Sequence, residues 1–440
     1  MSFMTKTTRL FNMNNAVSAF LSKHNFVRHV DVNTVTESIL NDMNKGLRKE
    51  PSDEDMIPTW CLPPKQKAVN KSVIVIDAGG TNFRSCLVTF DADGKASISD
   101  MEKTKMPGVE KELNKKEFFD QFASNLEHLK NKADCIGFCF SYPMQIQDDG
   151  DGILLGFSKE VKAPEVVGCA IGKCLKEALV AHGWNCPSRV TMLNDTVAAL
   201  LAGAAANKKG REYSSYIGFI LGTGMNAAYI QPEIKELKLN KQIVVCESGK
   251  TRCVNRSDYD IEYDKTTQKP GEFYMEKLCS GAYLGPQSLL MLKGASQEGL
   301  FSKKVCDSIL ALKELTTIDL SDFLAGPYNT DNVITKCLSN GDDKDFDVMY
   351  QLLDAVVERS ARYAASILSA AVIQSGEGKN ASKPVCILCN GSTFYKTHMI
   401  YQRVSAYLEQ NLTIEKGLYW EIVTVEDDIT LGTAIAGLIK

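Results

Sequence analysis

The chain has 440 residues, enough for two or three domains and for a large apolar core that needs no disulfides or metals. Its 50 Lys and Arg residues nearly balance 54 Asp and Glu residues, so the net charge of −4 gives no general attraction to nucleic acid or to an anionic membrane. With 44% hydrophobic and 24% charged residues, the composition excludes disordered, collagen-like and small disulfide-stabilised proteins. We expect a folded, soluble chain with neither nucleic acid nor membrane as a partner.

The N-terminal region and the cysteines indicate a cytoplasmic protein. No apolar run approaches the roughly 18 residues of a membrane-spanning helix, and asparagines interrupt the stretch 11–21, which therefore makes a poor secretory signal. The first acidic residue is Asp31; we interpret the basic stretch before it as a short arm, with an organellar transit peptide as the alternative. The fourteen cysteines include the pairs Cys135/Cys139 and Cys386/Cys389, but these lie in apolar segments that resemble buried strands, and no second ligand pair follows at zinc-finger spacing. We interpret the cysteines as free core thiols in a reducing compartment.

The first predicted element is a helix. Thr34 followed by Glu37 has the pattern of a capping box, and apolar residues then recur at near-helical spacing, which predicts an amphipathic helix over 34–48. Two stretches are interpreted as breaks, the Pro-rich segment 58–67 and the polar segment 248–271.

The remaining elements alternate between strand and helix. Six continuous apolar runs have the length and residue types of buried strands: 73–76, 85–90, 135–140, 190–193, 216–221 and 385–389. Asn114 with Glu117 caps a helix that continues toward residue 129, and 345–374 is long, Ala-rich and amphipathic. This alternation predicts an α/β architecture in which helices cover mixed sheets.

Two segments resemble each other in pattern. Residues 73–90 and 215–230 each show an apolar strand, a turn with Gly, Thr and Asn, and a second strand. The pattern predicts two related lobes.

The turn in the first of these segments is suited to phosphate. Gly79 and Gly80 bring backbone N–H groups within reach, and Thr81 and Asn82 add side-chain donors. Arg84 adds a forked cation, while Asp77 at the strand end is placed to face a metal ion or its water shell. An ordinary β-hairpin is the alternative interpretation.

The turn 222–226 has the same character, and two such turns facing one cleft would hold a polyphosphate from both sides. Neither turn has the spacing of a P-loop or of a Rossmann fingerprint.

Seven motifs occur together and in order, and their combination resembles the hexokinase family from about residue 35 to the C-terminus. They are DAGGTNFR (77–84), FSYP (140–143), GILLGFSK (152–159), LNDTVAALLAG (193–203), ILGTGMNAA (220–228), CESG (246–249) and PGEFYMEKLCSGAYLG (270–285). The resemblance implies the two-lobed actin-like ATPase fold, in which each lobe is a mixed sheet flanked by helices and the active site lies in the cleft. It further implies an N-terminal arm and helix on the large lobe (1–66), a small lobe (67–200), a large lobe (201–430) and a C-terminal helix returning to the small lobe (431–440).

The resemblance also assigns catalytic roles. Asn194 and Asp195 follow a predicted strand and open a helix, so from the residues alone Asp195 is a helix cap. Within LNDTV the resemblance makes Asp195 the general base. Ser158 and Lys159 resemble the family's Thr-Lys pair, with Lys159 reaching both sugar and transferring phosphate, although a lone lysine is ordinarily a surface charge.

A sugar-binding set and an ATP-binding set follow from the same resemblance. The sugar set comprises Ser141, Ser158, Lys159, Asn194, Asp195, Asn226, Glu247 and Glu276. Carboxylates and amides suit a polyol, because each can hold two neighbouring hydroxyls; without the family, Glu276 would be assigned to an exposed helix. The set implied for ATP and Mg²⁺ comprises Asp77, Gly79, Gly80, Thr81, Asn82, Arg84, Gly222, Thr223, Gly391 and Ser392, with Asp77 holding the ion through water.

The implied activity is transfer of the γ-phosphoryl group of MgATP to the 6-hydroxyl of glucose or a related hexose, in glycolysis. The chain departs from the family's pattern at Ser158 (usually Thr), at Ser248 (commonly aromatic) and at Phe273 (usually Gln), and it lacks a Gly-Ser-Gly run before the closing helix. These departures affect the sugar preference and the adenine contacts.

The alternatives to a sugar kinase are a catalytically silent sugar sensor on the same fold and an actin- or chaperone-like ATPase. Because the chain ends at Lys440, we expect no extended C-terminal regulatory helix.

Overall fold

The computed structural model describes residues 15–157, 161–206 and 210–439. The strands of these residues are, in chain order, β1 (Ile57–Pro58), β2 (Lys71–Gly79), β3 (Asn82–Phe90), β4 (Ala96–Lys105), β5 (Cys135–Phe140), β6 (Met144–Ile146), β7 (Gly152–Leu154), β8 (Arg189–Leu193), β9 (Ser215–Leu221), β10 (Met225–Gln231), β11 (Gln242–Val245), β12 (Val385–Asn390) and β13 (Trp420–Val423). The α-helices are α1 (Asn15–Lys23), α2 (Val32–Leu47), α3 (Lys115–Asn125), α4 (Ile171–Ala181), α5 (Asp195–Ala205), α6 (Asp258–Asp264), α7 (Tyr274–Cys279), α8 (Leu284–Gln297), α9 (Lys303–Ala311), α10 (Thr317–Ala325), α11 (Val333–Cys337), α12 (Asp343–Ser375), α13 (Ser392–Lys396), α14 (Ile400–Leu408) and α15 (Asp428–Leu438).

Two sheets share one topology. The small-lobe sheet has the strand order β4-β3-β2-β5-β8, and the large-lobe sheet has the order β1-β11-β10-β9-β12-β13. In the small-lobe sheet β2, β3 and β4 form an antiparallel meander, and β5 and β8 follow in parallel on the side of β2. In the large-lobe sheet β9, β10 and β11 form the meander, and β12 and β13 follow in parallel on the side of β9. The predicted repeat of two related lobes is therefore confirmed, with the β2–β3 hairpin corresponding to β9–β10.

The six predicted strands are all present. The run 135–140 coincides with β5, and the other five runs lie within β2, β3, β8, β9 and β12. Val73 to Ile76 in β2 and Val385 to Cys389 in β12 are completely buried. Strands covered on both faces are apolar at consecutive positions, which is why the continuous runs predicted them correctly.

Helix α5 lies between the two sheets. Every residue from Thr196 to Gly203 is buried, as expected of a helix that is apolar on all sides. On one side Gly218 of β9 allows close approach, because a Cβ there would lie 2.0 Å from the Thr196 carbonyl oxygen. On the other side Gly432 of α15 lies against the Ala198 carbonyl in the same way, and α15 itself packs on β2 and β5. The first residue of α5 is thereby placed where the two lobes meet.

The predicted N-cap of the first amphipathic helix, Thr34, is wrong by three residues. Helix α2 begins at Val32 and is capped by Asp31, whose carboxylate accepts a hydrogen bond from the Thr34 backbone N–H at 2.7 Å. Thr34 and Glu37 therefore lie inside the helix. Helix α2 packs on α12, and β1 pairs with β11 of the large-lobe sheet. The capping box at Asn114 and Glu117 is confirmed at the start of α3.

The interpretation of 248–271 as a break is also wrong. The segment contains a 3₁₀ turn (Ser248–Lys250) and helix α6, which Ser257 caps. Asp260 of α6 is buried and receives two hydrogen bonds from the buried Arg359 guanidinium, at 2.7 and 2.9 Å. The polar character of this segment comes partly from buried, paired groups, which composition alone does not distinguish from surface groups.

All fourteen cysteines lie in the described residues and are free thiols, but they are not all in the core. Cys186 is exposed, and five others are half-buried: Cys61, Cys135, Cys169, Cys253 and Cys306. Among the described residues, no helix has both the length and the apolar character that crossing a bilayer requires.

Candidate active site

A cleft of about 1290 Å³ is lined by residues of both sheets and contains every predicted site residue that the structure describes. These residues are Asp77, Gly79, Gly80, Thr81, Asn82, Arg84, Ser141, Asn194, Asp195, Gly222, Thr223, Asn226, Glu247, Glu276, Gly391 and Ser392. Ser158 and Lys159 lie outside the described residues. The two glycine-rich turns and the acidic side chains therefore share one cavity, although Asp77 and Glu276 lie 199 residues apart in the chain.

The first turn joins β2 to β3 at the small-lobe wall of the cleft. Gly80 has a φ of +58°, and no atom lies near its missing Cβ, so its backbone faces open space. The Tyr142 hydroxyl donates a hydrogen bond to the Gly80 carbonyl at 3.0 Å, and this contact holds the turn in place. Asp77 and Arg84 are paired across the hairpin, with 3.8 Å between Oδ2 and Nη1. Burial raises the pKa of the Asp77 carboxyl, and the Arg84 guanidinium partly opposes this shift.

The second turn joins β9 to β10 at the large-lobe wall. The Gly222 carbonyl accepts two hydrogen bonds at 2.8 Å, one from the Gly281 N–H and one from the Thr393 hydroxyl. Gly391 adopts a φ of +120°, and a Cβ there would lie 2.2 Å from the Leu221 carbonyl oxygen. Three distant segments thus meet at this turn, and they leave Thr223 exposed to the cleft.

Asn194 and Asp195 lie at the start of α5. The Asn194 side-chain oxygen caps the helix, accepting from the Thr196 N–H at 2.9 Å and from the Thr196 hydroxyl at 2.5 Å. Asp195 is the first helical residue, and its Oδ1 also accepts from the Thr196 N–H, at 2.8 Å. Because Asn194 already caps α5, capping is not the specific task of Asp195, which lines the cleft and is half-buried.

Glu247 is held by Asn226 on the opposite wall. The Asn226 amide donates to Glu247 Oε1 at 2.8 Å, and its carbonyl oxygen accepts from the Ser248 N–H at 3.3 Å. Glu247 has a left-handed backbone with φ +61°, which turns its side chain out of the end of β11. Burial raises the pKa of Glu247 to about 7, and the Lys250 ammonium opposes this shift.

Glu276 lies on the short helix α7 and reaches the same wall. Its Oε2 accepts from the Met225 N–H at 3.0 Å, and its Oε1 lies 3.5 Å from the Tyr283 hydroxyl. The predicted alternative, an exposed surface helix, is therefore wrong: Glu276 is half-buried and lines the cleft.

Several residues of the site were not found from the sequence. Tyr142 supports the first turn, and its only signal was its place in the FSYP motif. Asn390 donates two hydrogen bonds to Asp428 at 2.7 and 2.8 Å, which joins the end of β12 to α15 beside Gly391. No local pattern indicates that pair, because its partners come together only through folding.

Two of the family departures lie at the large-lobe wall. Ser248 is fully buried, and its hydroxyl has no hydrogen-bond partner among the described residues. Phe273 has a left-handed backbone with φ +55°, and its ring lies near the Lys269 and Lys250 ammonium groups, at 5.3 and 5.9 Å from the ring centroid. A bulky aromatic residue in this conformation is unusual and is held here by its surroundings.

The residues of the cleft fit a magnesium ion that arrives with a nucleotide. Within the described ranges no group of three or more His, Cys, Asp or Glu side chains is arranged to hold a metal. Mg²⁺ commonly keeps several waters and uses one or two carboxylates together with substrate phosphates. Asp77 is a carboxylate at the end of β2, beside the first turn, and it lines the cleft.

Comparisons with known proteins agree with this geometry. Two family models, both described as Hexokinase, match residues 17–205 and 216–439. Hexokinase-1 of Schizosaccharomyces pombe is 27% identical over 432 residues, covering 92% of this chain and 87% of that protein. Hexokinase-1 of Homo sapiens is 25% identical over 391 residues, covering 82% of this chain but only 41% of that longer protein.

A solved structure shares the fold. The hexokinase from Schistosoma mansoni complexed with glucose superposes with a TM-score of 0.77 at 21% identity, covering 96% of this chain and 98% of that one. The two-lobed architecture with a mixed sheet in each lobe is thus that of solved hexokinases.

Proposed function

The chain belongs to the hexokinase family and is an ATP-dependent sugar kinase, and from that premise we propose that it transfers the γ-phosphoryl group of MgATP to the 6-hydroxyl of glucose. The observation that carries the proposal is the meeting of two phosphate-type turns with a set of carboxylates and amides in one cleft. An actin- or chaperone-like ATPase, whose partner is another protein, would not need those carboxylates and amides in its nucleotide cleft.

Asp195 is proposed as the general base. Proton removal from the acceptor hydroxyl requires a carboxylate within hydrogen-bond reach of it, and such a group contributes about 10²–10⁴-fold to the rate. The Thr196 N–H fixes one oxygen of the Asp195 carboxylate at 2.8 Å. The carboxylate is therefore held in one orientation at the helix start, facing the cleft. Lys159 remains a predicted partner for the transferring phosphate.

Glu247, Glu276 and Asn226 are proposed to hold the sugar hydroxyls that do not react. Each carboxylate is oriented by a donor of the large lobe, Asn226 Nδ2 for Glu247 and the Met225 N–H for Glu276. Asn194 and Ser141 are proposed to complete the shell from the small-lobe side, together with Ser158. Charge-assisted hydrogen bonds to a polyol select for hydroxyl positions in a way that an apolar pocket cannot.

The two turns are proposed to hold the nucleotide phosphates. Gly79 to Asn82 and Arg84 would contact them from the small lobe, and Gly222 and Thr223 from the large lobe. Gly391 and Ser392 lie at the end of β12, where we place the nucleoside. When bound, Mg²⁺ neutralises part of the phosphate charge and aligns the transferring group; Asp77 would hold it through water.

A coupled assay of ADP release across glucose, mannose and fructose tests the proposal. We expect ADP release that depends on both sugar and Mg²⁺, and a glucose product that glucose-6-phosphate dehydrogenase oxidises. Glucose binding without ADP release would contradict phosphoryl transfer and would indicate a silent sugar sensor instead.

A cytoplasmic location and a role in glycolysis complete the proposal. Fourteen free thiols suit a reducing compartment. Detection of the protein in the soluble cytoplasmic fraction of its source cell would support the location, and recovery in an organellar fraction would contradict it.

A further inference from the structure

An acidic tripeptide lies against the segment that follows Glu247. Asp53, Glu54 and Asp55 face Arg252, Thr251 and Lys250 in antiparallel order. Asp55 Oδ2 lies 2.5 Å from Lys250 Nζ, Glu54 Oε1 accepts from the Thr251 hydroxyl at 2.7 Å, and Asp53 Oδ2 accepts from the Arg252 N–H at 2.9 Å.

The tripeptide is itself fixed to the large lobe. The Asp42 carboxylate on α2 accepts from the Asp53 and Glu54 N–H groups, at 2.9 and 2.8 Å for Oδ2. The Ser52 hydroxyl donates to the Glu54 carbonyl at 2.9 Å, and β1 follows directly. Glu54 therefore reaches Thr251 from a rigid support.

Thr251 connects the two acids proposed to hold the sugar. Its N–H donates to the Ser248 carbonyl at 3.3 Å, within the turn that Glu247 begins. Its carbonyl accepts from the Met275 N–H at 3.2 Å, immediately before Glu276. A displacement of Thr251 would therefore move the backbone next to both carboxylates.

Glu54 is completely buried in this arrangement. Glu54 and Thr251 are both 0% exposed, and Glu54 Oε2 has no hydrogen-bond partner among the described residues. Burial raises the pKa of Glu54 to about 8, and the Thr251 hydroxyl opposes this shift.

Titratable groups of the described residues act on Glu54 from several elements around it, and none of those named here is a cation. They are Asp42 of α2, Asp53 of its own segment, Tyr229 of β10, and Cys246, Glu247 and Cys253 of the chain after β11. A buried carboxylate without a cation is costly, and the carboxylic acid is the form that this environment accepts.

We propose that Glu54, as an uncharged carboxylic acid, is a positioning residue that holds Glu247 and Glu276 in place through the Thr251 hydroxyl. The inference rests on the proposed function, because it takes those two acids as the sugar-binding pair. Glu54 does not line the cleft. The inference therefore goes beyond the proposed function, because it gives a residue outside the cleft a role in positioning the sugar-binding acids.

Four single variants of the full chain and one double variant, Glu54→Leu with Thr251→Val, test this inference. Glu54→Gln keeps an oxygen acceptor for Thr251 but cannot ionise, whereas Glu54→Leu has similar size and no acceptor. Thr251→Val removes the hydroxyl with little change of shape. Glu50→Gln is the matched control, because Glu50 is an exposed acid four residues earlier whose partner is Arg48. All assays are made well below the melting temperature of the least stable variant.

We expect Glu54→Leu and Thr251→Val each to raise the glucose KM at least fivefold while the ATP KM stays within about twofold. The double variant should be no worse than the more affected single one, because both changes remove the same contact. Glu54→Gln should keep a near-wild-type glucose KM at neutral pH.

Above about pH 8 the glucose KM of the wild type should rise as Glu54 ionises, and the glucose KM of Glu54→Gln should rise less.

Hydrogen exchange without sugar provides a readout that does not depend on the reaction. Peptides covering 247–252 and 274–276 should exchange faster in Glu54→Leu and Thr251→Val, and at the wild-type rate in Glu50→Gln. If the wild type phosphorylates no hexose, the proposed function fails, while faster exchange still supports the positioning role. Unchanged exchange and unchanged glucose KM in Glu54→Leu and Thr251→Val would overturn the inference. So would a Glu54→Gln variant as impaired as Glu54→Leu.

Discussion

Three acidic side chains of the cleft are each oriented by a donor from their own wall. Asp195 accepts from the Thr196 N–H, Glu247 from the Asn226 amide and Glu276 from the Met225 N–H. Oriented carboxylates lose little conformational freedom when a sugar binds, which favours tight and specific hydrogen bonding. The three acids differ in their proposed task, and substitution can separate these tasks.

Asp195→Asn should lower kcat by about 10²–10⁴-fold and leave glucose binding within about tenfold. The amide keeps the shape of the side chain but cannot accept the hydroxyl proton. Steady-state kinetics and equilibrium titration with glucose measure the two effects. Asp343→Asn is the control, since Asp343 is also the first residue of a helix but is exposed outside the cleft. An Asp195→Asn variant with more than half of the wild-type kcat would leave Asp195 only a structural role at the helix start.

Replacing Glu247 or Glu276 by Ala should raise the glucose KM at least tenfold and change the ATP KM much less. In the proposed sugar site each carboxylate should contribute charge-assisted hydrogen bonds worth about 1.5–3 kcal/mol. Loss of alignment should also lower kcat. Glu236→Ala, at an exposed position, controls for the loss of one negative charge. Near-wild-type glucose KM values in both cleft variants would remove these residues from the sugar site.

Glu54 gives a prediction for stability against pH. Its pKa of about 8 in the folded protein lies above the ordinary value of 4.5. The stability contributed by the neutral acid is therefore fully present below about pH 4.5 and is lost as pH rises through about 8. Glu54→Gln does not titrate, so its free energy of unfolding relative to wild type should increase between about pH 5 and pH 8. The change should reach several kcal/mol, since each pH unit in this window is worth about 1.4 kcal/mol. Urea unfolding of both proteins across this range measures it, and a constant difference would show that Glu54 is not a buried neutral acid.

The start of helix α2 depends on a single polar side chain. Helix α2 is capped by Asp31, and the nearby Thr34–Glu37 pair, which has the correct spacing for a capping box, lies inside the helix. Asp31 and the Thr34–Glu37 pair lie within one helical turn of each other, and the helix is capped by the earlier residue, Asp31. The backbone of Asp31 is extended, with φ −76° and ψ 114°, as an N-cap requires.

Asp31→Ala should therefore lower the free energy of unfolding by about 1 kcal/mol, and Thr34→Ala by less than about 0.5 kcal/mol. The first change leaves the Thr34 N–H without its side-chain acceptor, and the second leaves that acceptor in place. Chemical denaturation of the two variants distinguishes them. A larger loss in Thr34→Ala would place the cap at Thr34.

The two lobes contribute opposite walls to one cleft, and this sets an expectation for the whole molecule. Asp77 and Ser141 belong to the small-lobe sheet and its loops, while Glu247 and Glu276 belong to the large lobe. A sugar that contacts both walls binds best when they are close together, so bound sugar should favour a closed state. Closure also excludes water from the transferring phosphoryl group.

Small-angle scattering should accordingly show a smaller radius of gyration with saturating glucose than without it. Sorbitol at the same concentration controls for solvent effects on the scattering. A radius of gyration that glucose leaves unchanged would count against closure.

The sequence by itself determined six of the strands, the repeat and the two glycine-rich turns of the cleft. Strands such as β5 and β12 are covered on both faces, so their residues are apolar at consecutive positions and local inspection finds them. The glycine-rich turns are also local, because a turn needs its glycines next to each other in the chain. The membership of the sugar set came from the resemblance to a family, since neither Glu276 nor Asp195 has a local signal for that task.

Only the tertiary structure decided how buried polar groups are paired. The Glu54–Thr251 contact joins residues 197 positions apart, and the Asp260–Arg359 pair joins residues 99 apart. Thr251 and Asp260 both lie in the polar stretch 248–271, whose composition predicts a break. A polar group can be buried only when a partner offsets the loss of water, and that partner is supplied by folding rather than by neighbours in sequence.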